Sequence, residues 1–362
     1  MPLAINGRFL SQRVTGVQRF ATEITRELDA LASARRLTDA RLLRPAGGPP
    51  SPFRNLREEA SAFLRGQAWE QSELALRARG CILVNLGNTA PLAAGRNQIV
   101  VIHDAGAFDT PESYSTAFRA WYRALHLALP RVGARIATVS EFSRGRIAHH
   151  LKLDPARIGV MPEGAEHILR MPPEAAVLAR NGLTPGRYAL VVGNPAAHKN
   201  LAALAECAGL LGRHGCVLAV AGAADPAVFR QGGDLGGGTA GEAVRALGRV
   251  SDAELRALYE SAICLLFPSR YEGFGLPPLE AMACGCPVIA AAAGAVPEVC
   301  GEAALWFDHD GERRLPSALA RLLEEDGLYD TLRARGLERA ARYTWRGAAE
   351  RLLDLLPEER DA

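Results

Sequence analysis

Short apolar runs of strand length alternate with stretches of helical periodicity along most of the chain. Leu3-Ala4-Ile5 and residues 81–86, 98–103, 135–139 and 157–161 are the strand-length runs of the first half. Residues 188–192, 216–221, 244–250, 263–267 and 303–307 continue the series, and Pro287-Val288-Ile289 opens a further strand. Runs this short and apolar suit buried strands. Between them, Val17, Phe20, Ile24 and Leu28 fall at helical spacing, as do Trp345, Ala349, Leu352 and Leu355. Ser140 and Ser251 stand where helix N-caps are needed. The pattern predicts two doubly wound α/β sets. Residues 45–60 read as a loop. Residues 165–187, rich in proline and glycine with no long apolar run, read as a linker between the sets.

Composition narrows the picture. The chain has 362 residues, 48% of them hydrophobic and 23% charged, enough for two domains with sizeable cores. Lys and Arg number 42 against 40 Asp and Glu, a net charge of +2, which gives no electrostatic basis for binding nucleic acid. Seven cysteines form an odd set without a regular framework, as in a reducing compartment, and Cys284-x-Cys286 lacks a second pair for a metal. MPLAING has no basic segment followed by an apolar core, so no secretory leader is expected. Phe118, Trp121, Tyr122 and Leu125 lie at helical spacings in a segment made basic by Arg119, Arg123, Arg131 and Arg135. A core-facing aromatic stripe is the expected reading. The other is contact with an anionic membrane surface.

The stretch FPSRYEGFGLPPLEAMACGCPVIA, residues 267–290, reads as strand, loop, helix, strand. Gly273 and Gly275 let backbone approach a ligand closely. Pro277 and Pro278 suit the first turn of a helix, and Gly285 suits its end. Glu272 stands in the loop and Glu280 in the helix. Ligands of open parallel sheets bind outside the carboxyl ends of the strands, so both acids are expected at one crevice. Carboxylates accept hydrogen bonds and suit vicinal hydroxyls, while a helix N-terminus favours an anion. The turn therefore reads as a site for a molecule with sugar rings and phosphate. Gly16, before the first helix, offers a second place for an anion to meet backbone amides. His103-Asp104 ends a strand at the crevice rim. Lys199, opening a helix after the strand that Gly193 closes, suits a diphosphate. Asp308-His309-Asp310 has metal-binding spacing but reads as a turn, and no metal is expected. Gly236, Gly238 and Gly241 match a dinucleotide-binding pattern that no strand directly precedes, so a surface loop is expected.

Glu272-GFGLPPL-Glu280, the QIVVIHDAGAFDTPESYS stretch and TVSEFSR resemble the retaining glycosyltransferases of the GT-B fold, the family 4 group. The likeness runs from NGRFL to YTW, and the QIVVIHDAGAFDTPESYS stretch closely resembles members that build bacterial surface polysaccharides. It implies two Rossmann-like domains facing across a cleft. Residues 1–170 form an acceptor-side domain, residues 171–340 bind the sugar nucleotide, and the helix in 341–362 packs back on the first domain with Trp345 as anchor. By this resemblance Glu272 holds donor-sugar hydroxyls and Glu280 the nucleotide ribose. The amides of Gly273, Phe274, Gly275 and Leu276 lie along sugar and diphosphate. Gly16, Gly193 and Lys199 meet the diphosphate, and His103 the outer sugar hydroxyls. Many members carry an arginine where Asn194 stands, so either the charge comes from elsewhere, with His198 and Arg270 as the candidates, or phosphate binding is weaker.

The implied reaction is metal-free transfer of a hexose, with GDP-mannose as donor, to a glycan or lipid-linked acceptor in the cytoplasm or at the inner face of its membrane. The catalytic set is Glu272, His103 and Lys199, with Glu272 orienting the sugar and not acting as nucleophile. Two other readings stand beside it. One is a nucleotide-sugar hydrolase or epimerase, and the other a binding protein without turnover.

Overall fold

The computed structural model describes residues 2–37, 39–47, 50–61, 63–193, 204–222, 244–309 and 311–357. The chain divides into two compact units, Met1–Glu163 with Thr344–Ala362, and Gly164–Tyr343.

The first unit is built on a seven-stranded sheet in the order β3-β2-β1-β4-β5-β6-β7. Its strands are β1 Leu3–Asn6, β2 Ala40–Arg44, β3 Arg57–Ala60, β4 Ile82–Asn85, β5 Gln98–Val101, β6 Arg135–Thr138 and β7 Ile158–Val160. Every pairing is parallel. Five of these strands follow the apolar runs of the sequence. The other two do not, and β3 falls inside the stretch expected to be a loop. Its residues REEA are mostly exposed, as befits a charged edge strand. Arg44 and Arg41 of β2 pair with Glu58 and Glu59 of β3. Cross-strand pairing, which leaves no apolar signal, holds this edge.

Helix Gly16–Ser33 buries Phe20, Ile24 and Leu28 as its spacing predicts. Helix Trp345–Asp354 belongs to the same unit and lies against it. The Trp345 indole is fully buried and meets the Phe20 ring edge-on at 5.9 Å. In helix Thr116–Ala128 the aromatic stripe does not face the core. Leu125 and His126 are buried, whereas Phe118 and Trp121 are 38% and 41% exposed. Tyr114, Phe118 and Tyr122 stack on one another along the helix, with ring centroids 5.0 and 4.1 Å apart. Contacts one turn apart can thus hold aromatic rings without a core behind them.

The second unit carries a six-stranded sheet in the order β10-β9-β8-β11-β12-β13, again parallel throughout. The strands are β8 Tyr188–Val192, β9 Val217–Ala221, β10 Val244–Gly248, β11 Cys264–Phe267, β12 Val288–Ala291 and β13 Ala304–Phe307. Helices Ala205–Arg213 and Leu315–Glu324 cover one face through Cys207, Leu211, Leu319 and Leu322. The stretch 165–187, expected to be a linker, is instead packed into this unit. Turn Glu166–Leu169 buries His167 and Ile168, and helix Ala176–Arg180 buries Val177 and Leu178. Helix Asp252–Ser261 holds the stretch down: Arg256 Nη1 donates to the carbonyls of Leu169 and Met171, both at 2.8 Å. Proline and glycine shape tight turns as readily as they loosen a tether, so composition could not separate the two. All seven cysteines are buried thiols, and burial raises those of Cys207, Cys284 and Cys300 to about 12. No helix among the described residues is long and apolar enough to cross a membrane.

Replacing Trp345 by Ala empties a fully buried indole site under Phe20. The expected cost is about 3–5 kcal/mol, read as a lower midpoint of urea unfolding followed by circular dichroism. An unshifted midpoint would show that the terminal helix contributes nothing to the first unit.

Candidate functional site

In the second sheet the strand order reverses between β8 and β11, which pair through Cys264 with Ala189 and Leu265 with Leu190. The crevice beyond the carboxyl ends of two such strands is where these sheets take ligands. The loop after β11 carries Arg270, Glu272 and Gly273, and runs into helix Leu276–Ala283. Gly275 caps this helix at φ +110, and Pro277 and Pro278 occupy its first turn.

The loop is buttressed from β12. The amide of Ala295 donates to the Glu272 carbonyl at 3.0 Å. A Cβ on Gly294, whose φ is +61, would lie 2.7 Å from both N and O of Glu272. Glycine is therefore required there for Glu272 to keep its place. The Ser269 hydroxyl donates to the Tyr271 carbonyl at 3.3 Å. The Phe274 side chain is buried and meets the Tyr343 ring edge-on at 5.8 Å, so only its backbone can face a ligand. Glu272 is half-buried. Arg270 is exposed and makes no hydrogen bond or ion pair among the described residues.

Glu280 is 7% exposed. His167 Nε2 donates to its Oε1 at 2.9 Å, and the Tyr259 hydroxyl donates to Oε2 at 3.2 Å. A buried carboxylate must be satisfied by such donors or its charge is very costly. Burial, and then the Glu280 charge, raise the Tyr259 phenol well above its ordinary value, which keeps it a donor. Neither His167 nor Tyr259 was foreseen. His167 lies in the stretch read as a linker, and Tyr259 in an ordinary amphipathic helix. No spacing ties either to Glu280.

On the other side of the reversal, β8 ends at Gly193, whose amide donates to the Ala221 carbonyl at 3.0 Å. Asn194, His198 and Lys199, expected to follow it, lie outside the described residues, as do Gly236, Gly238 and Gly241.

In the first unit, His103 follows β5 and is 5% exposed. Its Nε2 lies 2.9 Å from the Leu86 carbonyl, which can only accept, so Nε2 carries the hydrogen. Nδ1 is 3.7 Å from Glu163. The ring stands edge-on to Phe20 at 4.7 Å, and the His103 amide donates to Asn88 Oδ1 at 2.7 Å. Asn88, at φ +67, is a third residue not foreseen from the sequence. The Gly-Asn-Thr turn in which it sits was its one signal. Gly16 opens its helix behind a Thr15–Gln18 capping box, and a Cβ there would meet nothing within 4 Å. The local fold does not require glycine at this position. Ser140 caps helix Glu141–Leu151, accepting from the Ser143 amide at 3.0 Å.

Asp308 of the D-x-D string is held by Arg313 through two bonds of 2.9 Å, and Asp310 lies outside the described residues. Among the described residues no group of three His, Cys, Asp or Glu could hold a metal ion.

Residues 186–325 match the family model described as glycosyl transferases group 1. The O-antigen chain mannosyltransferase B of Escherichia coli is 33% identical over 258 residues, covering 68% of this chain and 66% of that enzyme. Among solved structures, WaaG, a glycosyltransferase involved in lipopolysaccharide biosynthesis, superposes with a TM-score of 0.71 at 18% identity, over 98% of this chain and 99% of that one. HepE of Anabaena in complex with UDP and glucose gives 0.73 at 15% identity, over 97% and 98%. The two parallel-sheet units are those of the GT-B fold.

His167→Ala would leave Glu280 Oε1 without its donor in a site that water reaches poorly. The expected loss is about 1–3 kcal/mol of stability, measured by urea unfolding. A variant as stable as the parent would show that the contact does not hold the carboxylate.

Proposed function

We propose, for a chain that belongs to the group 1 glycosyltransferases, that it transfers a hexose with retention from a sugar nucleotide, GDP-mannose, to a glycan or lipid-linked acceptor in surface polysaccharide assembly. The observation that carries this reading is the loop after β11. Glu272 is fixed by the close approach of Gly294, and Glu280 is held by His167 and Tyr259, both beside the strand-order reversal.

In this reading the bond between the anomeric carbon and the diphosphate oxygen breaks, and its electron pair goes to the phosphate. The acceptor oxygen bonds to the same carbon on the same face, and its proton passes to the leaving phosphate. Negative charge grows on the phosphate as the ring becomes cationic. Donors fixed before the reaction stabilise such charge best. The amides of Gly273, Phe274, Gly275 and Leu276, with Gly193, Asn194, Lys199 and Arg270, are assigned to the diphosphate and sugar of the donor. Glu272 is assigned to the sugar hydroxyls, orienting the ring. Glu280 has acceptor capacity left after binding His167 and Tyr259, and takes the ribose hydroxyls. In the first unit Gly16 is assigned to the diphosphate. His103 is assigned to the outer sugar hydroxyls through Nδ1, since Nε2 is committed to Leu86.

Glu272→Gln is expected to cut transfer from GDP-mannose at least about a hundredfold, with the dissociation constant for GDP changed less than about threefold. Unchanged turnover would remove Glu272 from the chemistry. Thermal shift against GDP-, UDP- and dTDP-hexoses checks the donor, and a larger stabilisation by a UDP-hexose than by GDP-mannose would replace the assignment.

The exposed aromatics of helix Thr116–Ala128, with Arg119 and Arg123, support peripheral contact with an anionic membrane at its cytoplasmic face. Phe118→Ser with Trp121→Ser is expected to lower co-sedimentation with phosphatidylglycerol vesicles at least about fivefold. Equal sedimentation of the variant would exclude this helix as the contact.

A further inference from the structure

A hollow of about 640 Å³ opens in the first unit, lined among others by Arg8, Gln12, Arg13, Gly47 and Arg65. Its walls come from the connections after β1, β2 and β3, so it lies at the carboxyl edge of the first sheet, where parallel sheets bind ligands. The size is that of a small-molecule site.

Its three guanidinium groups differ. Arg8 is committed. Its Nη1 donates to Glu70 Oε2 at 2.6 Å and to Thr89 Oγ1 at 3.0 Å. Gln67, its amide turned oxygen-inward, accepts from Nη1 and Nη2 at 2.9 and 3.0 Å. Glu70 is 1% exposed and sits in the π-helical turn Glu70–Leu74, a local distortion that recurs at functional sites. Arg8 is thus fixed, with its charge balanced. Arg13 and Arg65 are exposed, and among the described residues neither makes a hydrogen bond or ion pair. Two uncompensated cations therefore share one wall set with a rigid third.

We infer that this hollow is a subsite for a phosphate or diphosphate group carried by the acceptor. The guanidinium fork matches phosphate oxygens in pairs. Two free cations balance the charge of one phosphate monoester or a diphosphate diester. The residues beside the two arginines are apolar and exposed: Val14 by 63%, Phe63 by 88% and Leu64 by 40%. An acceptor whose phosphate joins a sugar to a lipid would place its chain there, whereas a soluble sugar phosphate would use the arginines alone. The inference rests on the transfer proposed above, because it takes the anion to be part of the acceptor.

The test is calorimetric titration of inorganic pyrophosphate into the full chain with its nucleotide site filled by GDP. Arg13→Ala with Arg65→Ala is expected to weaken pyrophosphate binding at least about tenfold while GDP affinity stays within about twofold. Equal pyrophosphate affinity in parent and variant, or no binding to the parent, would overturn the subsite. Displacement of pyrophosphate by decyl phosphate and not by mannose 1-phosphate identifies a lipid-borne anion. The reverse identifies a soluble one, and either outcome supports the subsite. Displacement by uncharged octyl mannoside as strongly as by the phosphates would overturn it. If pyrophosphate binds as expected but no nucleotide or sugar nucleotide does, the anion site stands and the transferase reading fails.

Discussion

A strand that runs parallel to its neighbour can be reached only by a connection that travels back to the starting edge. In both sheets every pairing is parallel, so all carboxyl ends within a sheet meet one edge, and the loops carrying Gly16, His103 and Arg8 leave from one side of the first unit. In the second unit the same constraint brings the end of β8 beside the Glu272 loop. The helices cover the faces of the sheets.

Buried carboxylates then fix what the topology only brings near. Glu280 and Glu70 are 7% and 1% exposed. Taking such charges out of water is costly unless donors replace it. Glu280 is satisfied by His167 and Tyr259, which ties three separate segments of the second unit together. Glu70 accepts at Oε2 from Arg8 and, at 3.4 Å, from Asn6, and the Asn6 amide reaches Asn85 at 2.9 Å. The polar chain continues to Gln98 at 3.2 Å, crossing from β1 to β5. In each unit a buried carboxyl group holds neighbouring polar groups in one geometry. That geometry is what a binding site for hydroxyls and phosphates requires before its ligand arrives.

Close backbone approach supplies the remaining precision. Gly294 lets β12 support Glu272 from behind, and Gly222 lies against Gly193, where a Cβ would come within 2.1 Å of the Gly193 carbonyl oxygen. These contacts involve main chain on both sides.

The amino-acid sequence by itself determined the alternation of strand and helix, the caps at Ser140 and Ser251, the glycine-proline turn between Glu272 and Glu280, and the face that Trp345 buries. Each depends on neighbours within a turn or two, where propensity and spacing act directly. Tertiary structure alone decided the rest. Edge strand β3 has no apolar pattern: it pairs with β2 through the backbone, and charged side chains face one another across the pair. The stretch 165–187 is packed, with His167, Ile168, Val177 and Leu178 buried and Arg256, far along the chain, binding its carbonyls. Phe118 and Trp121 are exposed because spacing marks a face of a helix and not what covers it. His167 and Tyr259 could not be found from sequence, since their partners are set by which segments fold beside them. A hydrogen bond across 113 residues, as between His167 and Glu280, leaves no local trace.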